Sequence, residues 1–214
     1  MNLSIADLRR NYTLAGFSEA DAAISPIDQF KIWFQQAVDA NLTEPNAMTL
    51  ATISSEGKPS ARIVLLKDVD DRGFVFFTNY ESVKGQHLLE NPQAALVFFW
   101  IELERQVRVE GKAEKVSSAE SDAYFSTRPR GSQLGAWVSK QTEVIASREV
   151  LQSKLEELEQ KYADKEIPRP PHWGGFRLIP SEFEFWQGRP NRLHDRLRYR
   201  LAENGNWIRE RLSP

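Results

Sequence analysis

The chain is 214 residues long, and its 41% hydrophobic and 27% charged residues are those of an ordinary globular protein, which excludes general disorder. Its formal net charge of −2 argues against nucleic-acid and membrane-surface proteins, since both usually carry net positive charge. The chain has no cysteine, which excludes disulfides, thiolate nucleophiles and cysteine-ligated metals. No stretch approaches the roughly 18 apolar residues of a membrane helix, and no signal peptide is predicted, so we expect a cytoplasmic protein.

The first half of the chain predicts a polar arm, a helix and a series of hairpins. Residues 1–24 are weakly patterned, which predicts a mobile arm with a short helix around residues 5–10. Ser25 and Pro26 suit the cap and first position of a helix with one apolar face, formed by Phe30, Trp33, Phe34, Ala37 and Val38. Strands are predicted over 47–53, 59–67 and 73–78, with turns at 54–58 and 68–72.

The second half alternates helices with antiparallel strands. Helices are predicted over 81–90, 117–126 and 147–162, the last with Leu151, Leu155 and Leu158 on one stripe. Strands are predicted over 94–101, 106–116, 175–179, 182–187, 193–201 and 207–211. Short turns between the strands, such as Asn204-Gly205, favour an antiparallel, barrel-like α+β domain over a parallel sheet.

Several common functional motifs are missing from the sequence. There is no Gly-x-Gly-x-x-Gly and no Walker-type loop, which disfavours the usual dinucleotide and nucleoside-triphosphate folds. The three histidines, His87, His172 and His194, lie in separate segments. A histidine-rich metal site and a Ser–His–Asp triad are therefore disfavoured, and we predict no metal site.

The segment Arg192-Leu193-His194-Asp195-Arg196 is a candidate binding surface. If it is a strand, alternate side chains share a face, so Arg192, His194 and Arg196 point the same way. Two guanidinium groups beside an imidazole suit an anionic or electron-rich ligand. By spacing alone, a solvated basic edge strand fits the same pattern.

Five other segments offer groups that can contact a ligand. The segment from Tyr124 through Arg128 to Ser132 carries the donors that a phosphate monoester needs, although a helix C-terminus with ordinary basic residues fits equally well. Arg62 and Lys67 are five positions apart, so a regular strand puts them on opposite faces, and solvated strand ends remain an alternative. Ser82–Gly85 lie near a predicted helix start, where backbone N–H groups favour an anion, although an ordinary surface helix fits as well. Gln106 either forms a hydrogen bond to the polar edge of a ligand ring or lies at the surface. Trp186 either lies against a planar ligand or is buried in the core.

Together these segments resemble the pyridoxine/pyridoxamine 5′-phosphate oxidase family, over roughly residues 5–214 and in the family's order. The matching motifs are Arg62–Lys67, Arg105-Gln106-Val107, Tyr124-Phe125 through Arg128-Pro129 to Ser132-Gln133, Gly135-Ala136-Trp137, Trp173–Arg177, Phe185–Gly188 and Arg192–Arg196. The resemblance implies a homodimeric FMN-binding split β-barrel, antiparallel and Greek-key-like, with peripheral helices. It also implies an N-terminal lid over residues 1–24 and one domain over 25–214 that includes C-terminal dimerisation and substrate-binding strands.

The resemblance also implies roles for individual residues, with FMN at the subunit interface. The implied cofactor-binding residues are Arg62, Ile63, Val64, Leu65, Lys67, Phe77, Thr78, Lys84, Gln106, Gln141, Thr142, Trp186 and Arg196. The implied substrate-binding residues are Arg9, Tyr12, Lys67, Tyr124, Arg128, Ser132, Arg192 and His194, of which Arg192 and His194 are also catalytic. Two positions depart from the family: Val83 replaces a frequent arginine beside Lys84, and Phe77 replaces a frequent tyrosine.

The activity that the resemblance implies is oxidation of pyridoxamine or pyridoxine 5′-phosphate by dioxygen, which yields pyridoxal 5′-phosphate and hydrogen peroxide in vitamin B6 salvage. The amine substrate also yields ammonia. Two alternatives stay open: a split-barrel flavoenzyme with another substrate, such as a phenazine precursor, and a non-catalytic protein that binds FMN or pyridoxal phosphate. No nucleic-acid or membrane partner is expected.

Overall fold

A computed structural model describes residues 12–14 and 16–214, so Arg9 and the helix predicted around residues 5–10 lie outside the described residues. The helices are α1 (Pro26–Asp39), α2 (Val83–Glu90), α3 (Ser118–Thr127), α4 (Arg130–Val138) and α5 (Glu149–Tyr162). The strands are β1 (Ala47–Ile53), β2 (Pro59–Leu65), β3 (Asp68–Asp70), β4 (Gly73–Asn79), β5 (Gln93–Trp100), β6 (Arg105–Lys115), β7 (Trp173–Gln187), β8 (Asp195–Leu201) and β9 (Trp207–Arg211). Within the described ranges, no helix is long and apolar enough to cross a membrane.

The strands form one sheet in the order β2-β1-β5-β6-β7-β4-β3, in which β8 also pairs with β7 and β9 with β8. The chain divides into two compact units. The α1 unit consists of the described residues up to Thr49 together with Leu96–Glu110 and Pro180–Pro214. The α2–α5 unit consists of Leu50–Ala95 and Gly111–Ile179.

Helix α1 starts where the sequence predicts. The backbone of Ser25 is extended, and its Oγ accepts a hydrogen bond from the amide of Asp28 at 3.4 Å, which satisfies one of the free donors of the first turn. Phe30 and Trp33 are buried as predicted, but Val38 is exposed, so the apolar face is narrower than the sequence suggested. The helix therefore contributes mainly large aromatic side chains to the core of the α1 unit.

Helices α3, α4 and α5 enclose the second core, which belongs to the α2–α5 unit. Its buried residues are Phe125, Leu134, Leu158, Ile167 and Trp173. The predicted leucine stripe of α5 is confirmed, because Leu158 is buried and Leu155 packs against the same cluster. Burial of one such side chain contributes roughly 1.5–3 kcal/mol, so this core fixes the elements that carry Tyr124 and Trp173.

Helix α4 was not predicted, because the segment after Tyr124 was interpreted as a helix followed by a loop. The chain leaves α3 at Arg128 and enters α4 immediately after Pro129. Gly131 and Gly135 lower the intrinsic helix propensity of this segment. Packing of Leu134 into the core outweighs that penalty.

Two further predictions were also wrong: a predicted turn contains a strand, and two predicted strands are one. The segment 68–72 was predicted as a turn, but Asp68 pairs with Val75 and Asp70 with Gly73, which makes β3 a short strand. The predicted strands 175–179 and 182–187 are the single strand β7. Pro180 is tolerated within it because it lies between the residues paired with β4, up to Leu178, and those paired with β8, from Glu182.

The predicted start of the next strand was wrong as well. A short 3-10 turn spans Pro190–Arg192, and Asn191 and Arg192 have φ values of 57° and 61°. These left-handed residues depart from the extended conformation of a strand, and β8 begins only at Asp195. The prediction that Arg192, His194 and Arg196 share one face of a strand is therefore wrong.

Candidate active site

A cavity of about 660 Å³ lies in the α2–α5 unit, within the size range of cofactor and small-molecule sites. Three cationic side chains line it, from Lys67, Lys84 and Arg128, and no acidic residue is found among its described lining. The other lining residues are Ile63, Val64, Leu65, Phe77, Thr78, Asn79, Tyr124, Thr127, Pro129, Ser132, Gly135, Ala136, Ser139, Gln141 and Trp173. A cavity with cations and without carboxylates is suited to an anionic ligand.

Lys84 forms a cationic centre at the start of α2. Its Nζ lies 2.7 Å from Gln141 Oε1, 3.2 Å from Thr78 Oγ1 and 3.3 Å from Ser82 Oγ, all of them uncharged acceptors. Burial, reinforced by the charge of Arg62, lowers the pKa of Lys84 to about 8. An anion bound here would favour the charged ammonium and raise the pKa again.

Arg62 lies beside this centre but does not line the cavity. Its guanidinium donates to the carbonyl of Leu50 at 3.1 Å, to Thr52 Oγ1 at 2.7 Å and to Ser60 Oγ at 2.6 Å. Burial lowers the pKa of Arg62. Thr52 Oγ1 also lies 3.1 Å from His87 Nδ1, so the side chain of Arg62 is fixed through a buried hydroxyl group.

Thr142, a predicted flavin contact, does not line the cavity either. Its Oγ1 accepts a hydrogen bond from the amide of Val83 at 3.1 Å, and its φ is 77°. This bond joins the loop that carries Gln141 to the first turn of α2. Val83, one of the two departures from the family pattern, is 47% exposed.

Three aromatic rings form a nearly parallel stack at the cavity wall. The ring of Phe77 lies 3.9 Å from that of Tyr124 and 5.5 Å from that of Trp173, with interplanar angles of 15° and 12°. A Cβ atom at Gly175 would lie 2.9 Å from Cε1 of Phe77, so glycine at this position lets the ring approach β7 closely. Phe77 therefore contributes through stacking where a tyrosine would add a hydroxyl group.

Arg128 is placed to bind an anion. Its guanidinium carbon lies 4.5 Å from the ring centre of Trp173, and burial lowers its pKa. Nη1 of Arg128 is buried and has no hydrogen-bond partner among the described residues. Ser132 lies nearby in the first turn of α4, where the helix dipole favours negative charge.

A second group of predicted residues lies in the α1 unit, around His194. The His194 ring lies 4.6 Å from that of Trp186, and the Tyr12 ring makes T-shaped contacts with both, at centroid distances of 5.6 and 5.7 Å. His194 Nδ1 accepts the amide N–H of Arg189 at 3.1 Å, which places the proton of the neutral ring on Nε2. Burial and the charge of Arg192 lower the pKa of His194, which favours this neutral form.

Arg196 and Gln106 belong to the same unit. Arg196 Nε donates to Glu184 Oε1 at 2.7 Å, and its Nη1 donates to the carbonyl of Ser213 at 2.8 Å. The hydrogen bond to Glu184 raises the pKa of Arg196. Gln106 is half-buried at the start of β6, and its neighbour Val107 is buried in the core.

The structure brings most of the predicted residues of the α2–α5 unit into one cavity. Those that line it are Ile63, Val64, Leu65, Lys67, Phe77, Thr78, Lys84, Tyr124, Arg128, Ser132 and Gln141. The sequence did not assign a role to Asn79, Thr127, Pro129, Gly135, Ala136, Ser139 or Trp173, which also line it. Most of these belong to α4 or its flanks, and recognition of that helix would have identified them.

The sequence matches two family profiles. The profile described as "Pyridoxamine 5′-phosphate oxidase" matches residues 34–162. The chain belongs to the pyridoxamine 5′-phosphate oxidase family. A second profile, "Pyridoxine 5′-phosphate oxidase C-terminal dimerisation region", matches residues 173–214, which contain β7, β8 and β9.

Curated members of the pyridoxamine 5′-phosphate oxidase family are similar along their whole length. A protein of Gloeothece citriformis named pyridoxine/pyridoxamine 5′-phosphate oxidase is 64% identical over 100% of both chains. One of Cupriavidus necator with the same name is 60% identical over 98% of this chain and 99% of its own.

Solved structures confirm the predicted split-barrel fold. PhzG from Burkholderia lata, in complex with tetrahydrophenazine-1-carboxylic acid, is similar with a TM-score of 0.89 and 33% identity over 96% of this chain and 100% of its own. A pyridoxamine 5′-phosphate oxidase-related, FMN-binding protein from Nostoc punctiforme has a TM-score of 0.71 and 16% identity, over 90% of this chain and 100% of its own. At that identity, the second likeness concerns the fold alone.

Proposed function

We propose that the chain oxidises pyridoxamine and pyridoxine 5′-phosphate to pyridoxal 5′-phosphate, with FMN as cofactor and dioxygen as electron acceptor. Hydrogen peroxide is the second product, and the amine substrate also gives ammonia. The observation that carries the proposal is the 64% full-length identity to a curated oxidase of that name. The cationic cavity supports it, because cofactor and substrate each bring a phosphate group.

The residues around Lys84 fit the phosphate end of FMN. Among the described residues, Lys84 has only uncharged partners, and its pKa is lowered, as expected of a cation that binds an anion. In our proposal Lys84, Thr78 and Gln141 hold the phosphate, Arg62 adds positive charge, and Ile63–Leu65 lie along the ring. FMN, when bound, supplies the ring that accepts a hydride from the substrate carbon.

The residues around Arg128 fit the phosphate of the substrate. The buried Nη1 of Arg128 would gain an acceptor, and Lys67, Tyr124 and Ser132 present further donors from the same cavity. Fixing the phosphate orients the pyridine ring, and orientation alone lowers the barrier of a reaction between two bound partners. Because Trp173 holds the guanidinium by stacking, Arg128 loses little freedom when the ligand binds.

Arg192 and His194 are proposed to act on the pyridine ring. His194 has its proton on Nε2, so it can donate a hydrogen bond to an oxygen of the substrate. Arg192 is exposed and always charged, and in our proposal it positions the substrate and stabilises charge at the carbon being oxidised. Arg9 and Tyr12 would close over the bound substrate.

The proposed active unit is a homodimer with FMN at the subunit interface, in keeping with the dimerisation profile over residues 173–214. A second copy would then supply the flavin contacts from Gln106, Trp186 and Arg196. Location in the cytoplasm stays a prediction.

Another flavoenzyme reaction is the second candidate, favoured by the TM-score of 0.89 to PhzG in complex with a phenazine derivative. Identity separates the two candidates, because PhzG is 33% identical whereas the curated oxidases reach 64%. A phenazine precursor also lacks the phosphate that would satisfy Arg128.

The test is to load the purified protein with FMN, add either phosphorylated substrate in air, and measure pyridoxal phosphate and hydrogen peroxide together. Equal amounts of both products would support the proposal. FMN binding without either product would refute the substrate assignment and favour the other flavoenzyme or a non-catalytic binding protein. Unphosphorylated pyridoxine is the matched control, and we expect it to react poorly.

A further inference from the structure

Glu104 has an unusual backbone conformation in the turn between β5 and β6. Its φ and ψ are 53° and 40°, the left-handed region that non-glycine residues rarely adopt. Two bonds to its carbonyl hold it there: the amide of Gly188 donates at 2.7 Å and Nε2 of Gln187 at 3.2 Å. Gln187 is only 1% exposed, so the turn is fixed from the core. Strained residues held in this way are frequent at functional sites.

The carboxylate of Glu104 binds the N-terminal segment. Its Oε2 accepts the amide N–H of Thr13 at 2.9 Å and that of Leu14 at 3.1 Å. Bonds from N–H groups to a carboxylate are charge-assisted, and two on one oxygen fix the local direction of the chain. Ordering a chain segment costs conformational entropy, so residues 12–14 need such a contact to keep one position.

The residue that this contact places is Tyr12. Its ring makes T-shaped contacts with Trp186 and His194, at centroid distances of 5.6 and 5.7 Å. A Cβ atom at Gly188 would lie 2.7 Å from Cγ of Tyr12 and 3.0 Å from Cβ of Glu104. The absence of a side chain at position 188 therefore lets Tyr12 and Glu104 pack against the same stretch of backbone.

We propose that Glu104 is a positioning residue that holds residues 12–14 so that Tyr12 covers Trp186 and His194, and that it thereby tightens the binding of the phosphorylated pyridine. The inference rests on the proposed function, which assigns Tyr12 and His194 to the substrate. The chain from Phe17 onward has its own anchor, because the amide of Phe17 donates to Asp195 Oδ2 at 3.0 Å. Loss of the Glu104 carboxylate should therefore release only the residues before Phe17.

Two variants at this position separate charge from backbone effects. Glu104→Gly removes the carboxylate and suits the left-handed conformation, so it should fold. Glu104→Gln keeps an oxygen acceptor without the charge. Glu102→Gly is the matched control, because Glu102 is exposed in the same turn and makes no side-chain hydrogen bond to the described part of the N-terminal segment.

The direct readout is hydrogen exchange of the Thr13 and Leu14 amides in the FMN-loaded protein. We expect exchange to be about tenfold faster or more in Glu104→Gly, intermediate in Glu104→Gln and unchanged in Glu102→Gly. The KM for pyridoxine 5′-phosphate should rise roughly five- to tenfold in Glu104→Gly, with kcat and FMN affinity within about twofold of the wild type.

A double-mutant cycle tests whether Glu104 acts through Tyr12. In a Tyr12→Ala background, Glu104→Gly should raise KM no further, because the ring that it positions is gone. Unchanged exchange in Glu104→Gly, or additive effects on KM, would overturn the inference. If the wild type forms no pyridoxal phosphate, the proposed function fails and the substrate part of the inference with it, while hydrogen exchange still decides whether Glu104 anchors residues 12–14.

Discussion

The guanidinium carbon of Arg128 lies 4.5 Å from the ring centre of Trp173, and its Nη1 is buried without a partner among the described residues. The guanidinium lies over the indole ring, and its buried Nη1 has a hydrogen bond left to donate. The same contact therefore orients the cation and leaves it free to bind a phosphate.

Replacement of Arg128 by methionine should damage substrate binding without damaging the fold. Loss of a charge-assisted hydrogen bond is worth about 1.5–3 kcal/mol, so KM should rise about ten- to a hundredfold. The thermal midpoint of the cofactor-free protein should stay the same or rise, because a buried donor without an acceptor is removed. Steady-state kinetics and thermal unfolding test the two expectations, and a normal KM would contradict the role of Arg128.

FMN affinity should fall as the pH rises above about 8. Lys84 has a pKa of about 8 without an anion, and the bound phosphate favours its charged form. Binding then takes up a proton, so the dissociation constant should increase by up to about tenfold per pH unit between about 8 and the higher pKa of the complex. Fluorescence titration of the cofactor-free protein from pH 7 to about 9.5 measures this. Lys84→Met should bind weakly with a flatter profile, whereas a flat profile in the wild type would exclude the mechanism.

Val83→Arg should tighten FMN binding. Val83 is 47% exposed and precedes Lys84. Its backbone amide donates the hydrogen bond to Thr142 Oγ1, so a change of side chain leaves that bond in place. An added charge-assisted hydrogen bond of about 1.5–3 kcal/mol would lower the dissociation constant about ten- to a hundredfold. Val83→Met controls for side-chain length. An unchanged constant in Val83→Arg would show that position 83 does not reach the phosphate.

Arg192→Leu should reduce turnover far more than FMN affinity. The charge of Arg192 is assigned to the substrate, and leucine removes it while keeping a side chain at the same left-handed position. Arg192→Lys keeps the charge but loses the planar fork, so it should retain part of the activity. Wild-type kcat in Arg192→Leu, measured with saturating FMN, would refute the catalytic assignment.

Thr52→Val should weaken FMN binding although Thr52 is not predicted to touch the cofactor. The variant nearly preserves shape but removes the hydroxyl that accepts a 2.7 Å bond from Arg62. The hydrogen bond is worth about 1.5–3 kcal/mol, and only part of that free energy affects FMN binding, because Thr52 acts through the position of Arg62. We therefore expect a several-fold higher dissociation constant for FMN. Thr52→Ser keeps the hydroxyl and should restore affinity. Equal constants for both variants would show that the hydroxyl does not position Arg62.

The sequence predicted best what depends on local patterns. Helix α1 begins at its Ser25 cap, and the leucine stripe of α5 identified its buried face, because capping and periodicity act within a few residues. Helix α4 was missed because its stability comes from the burial of Leu134, which depends on residues distant in sequence. The start of β8 was missed because the left-handed conformation of Asn191 and Arg192 has no glycine to indicate it.

The residues of the candidate site were predicted less from spacing than from the family resemblance. Spacing placed Arg62 and Lys67 on opposite faces, and the structure has Lys67 lining the cavity while Arg62 donates to Leu50, Thr52 and Ser60. The family resemblance, rather than spacing, assigned Gln141 and Lys84 to the cofactor, and the structure places Lys84 Nζ 2.7 Å from Gln141 Oε1. The contribution of Trp173 could not be predicted, since its stacking with Arg128 depends on how β7 meets the end of α3.

The cavity is lined by three cationic side chains and, among the described residues, by no acidic one, which has a practical consequence for work with the protein. Inorganic phosphate and sulfate carry the same kind of charge and acceptors as the phosphate groups of the proposed ligands, so both ions should bind in the cavity of the cofactor-free protein. They would then compete with cofactor and substrate and also stabilise the cofactor-free protein against heat. Buffer composition would therefore set the apparent affinities as strongly as many substitutions do.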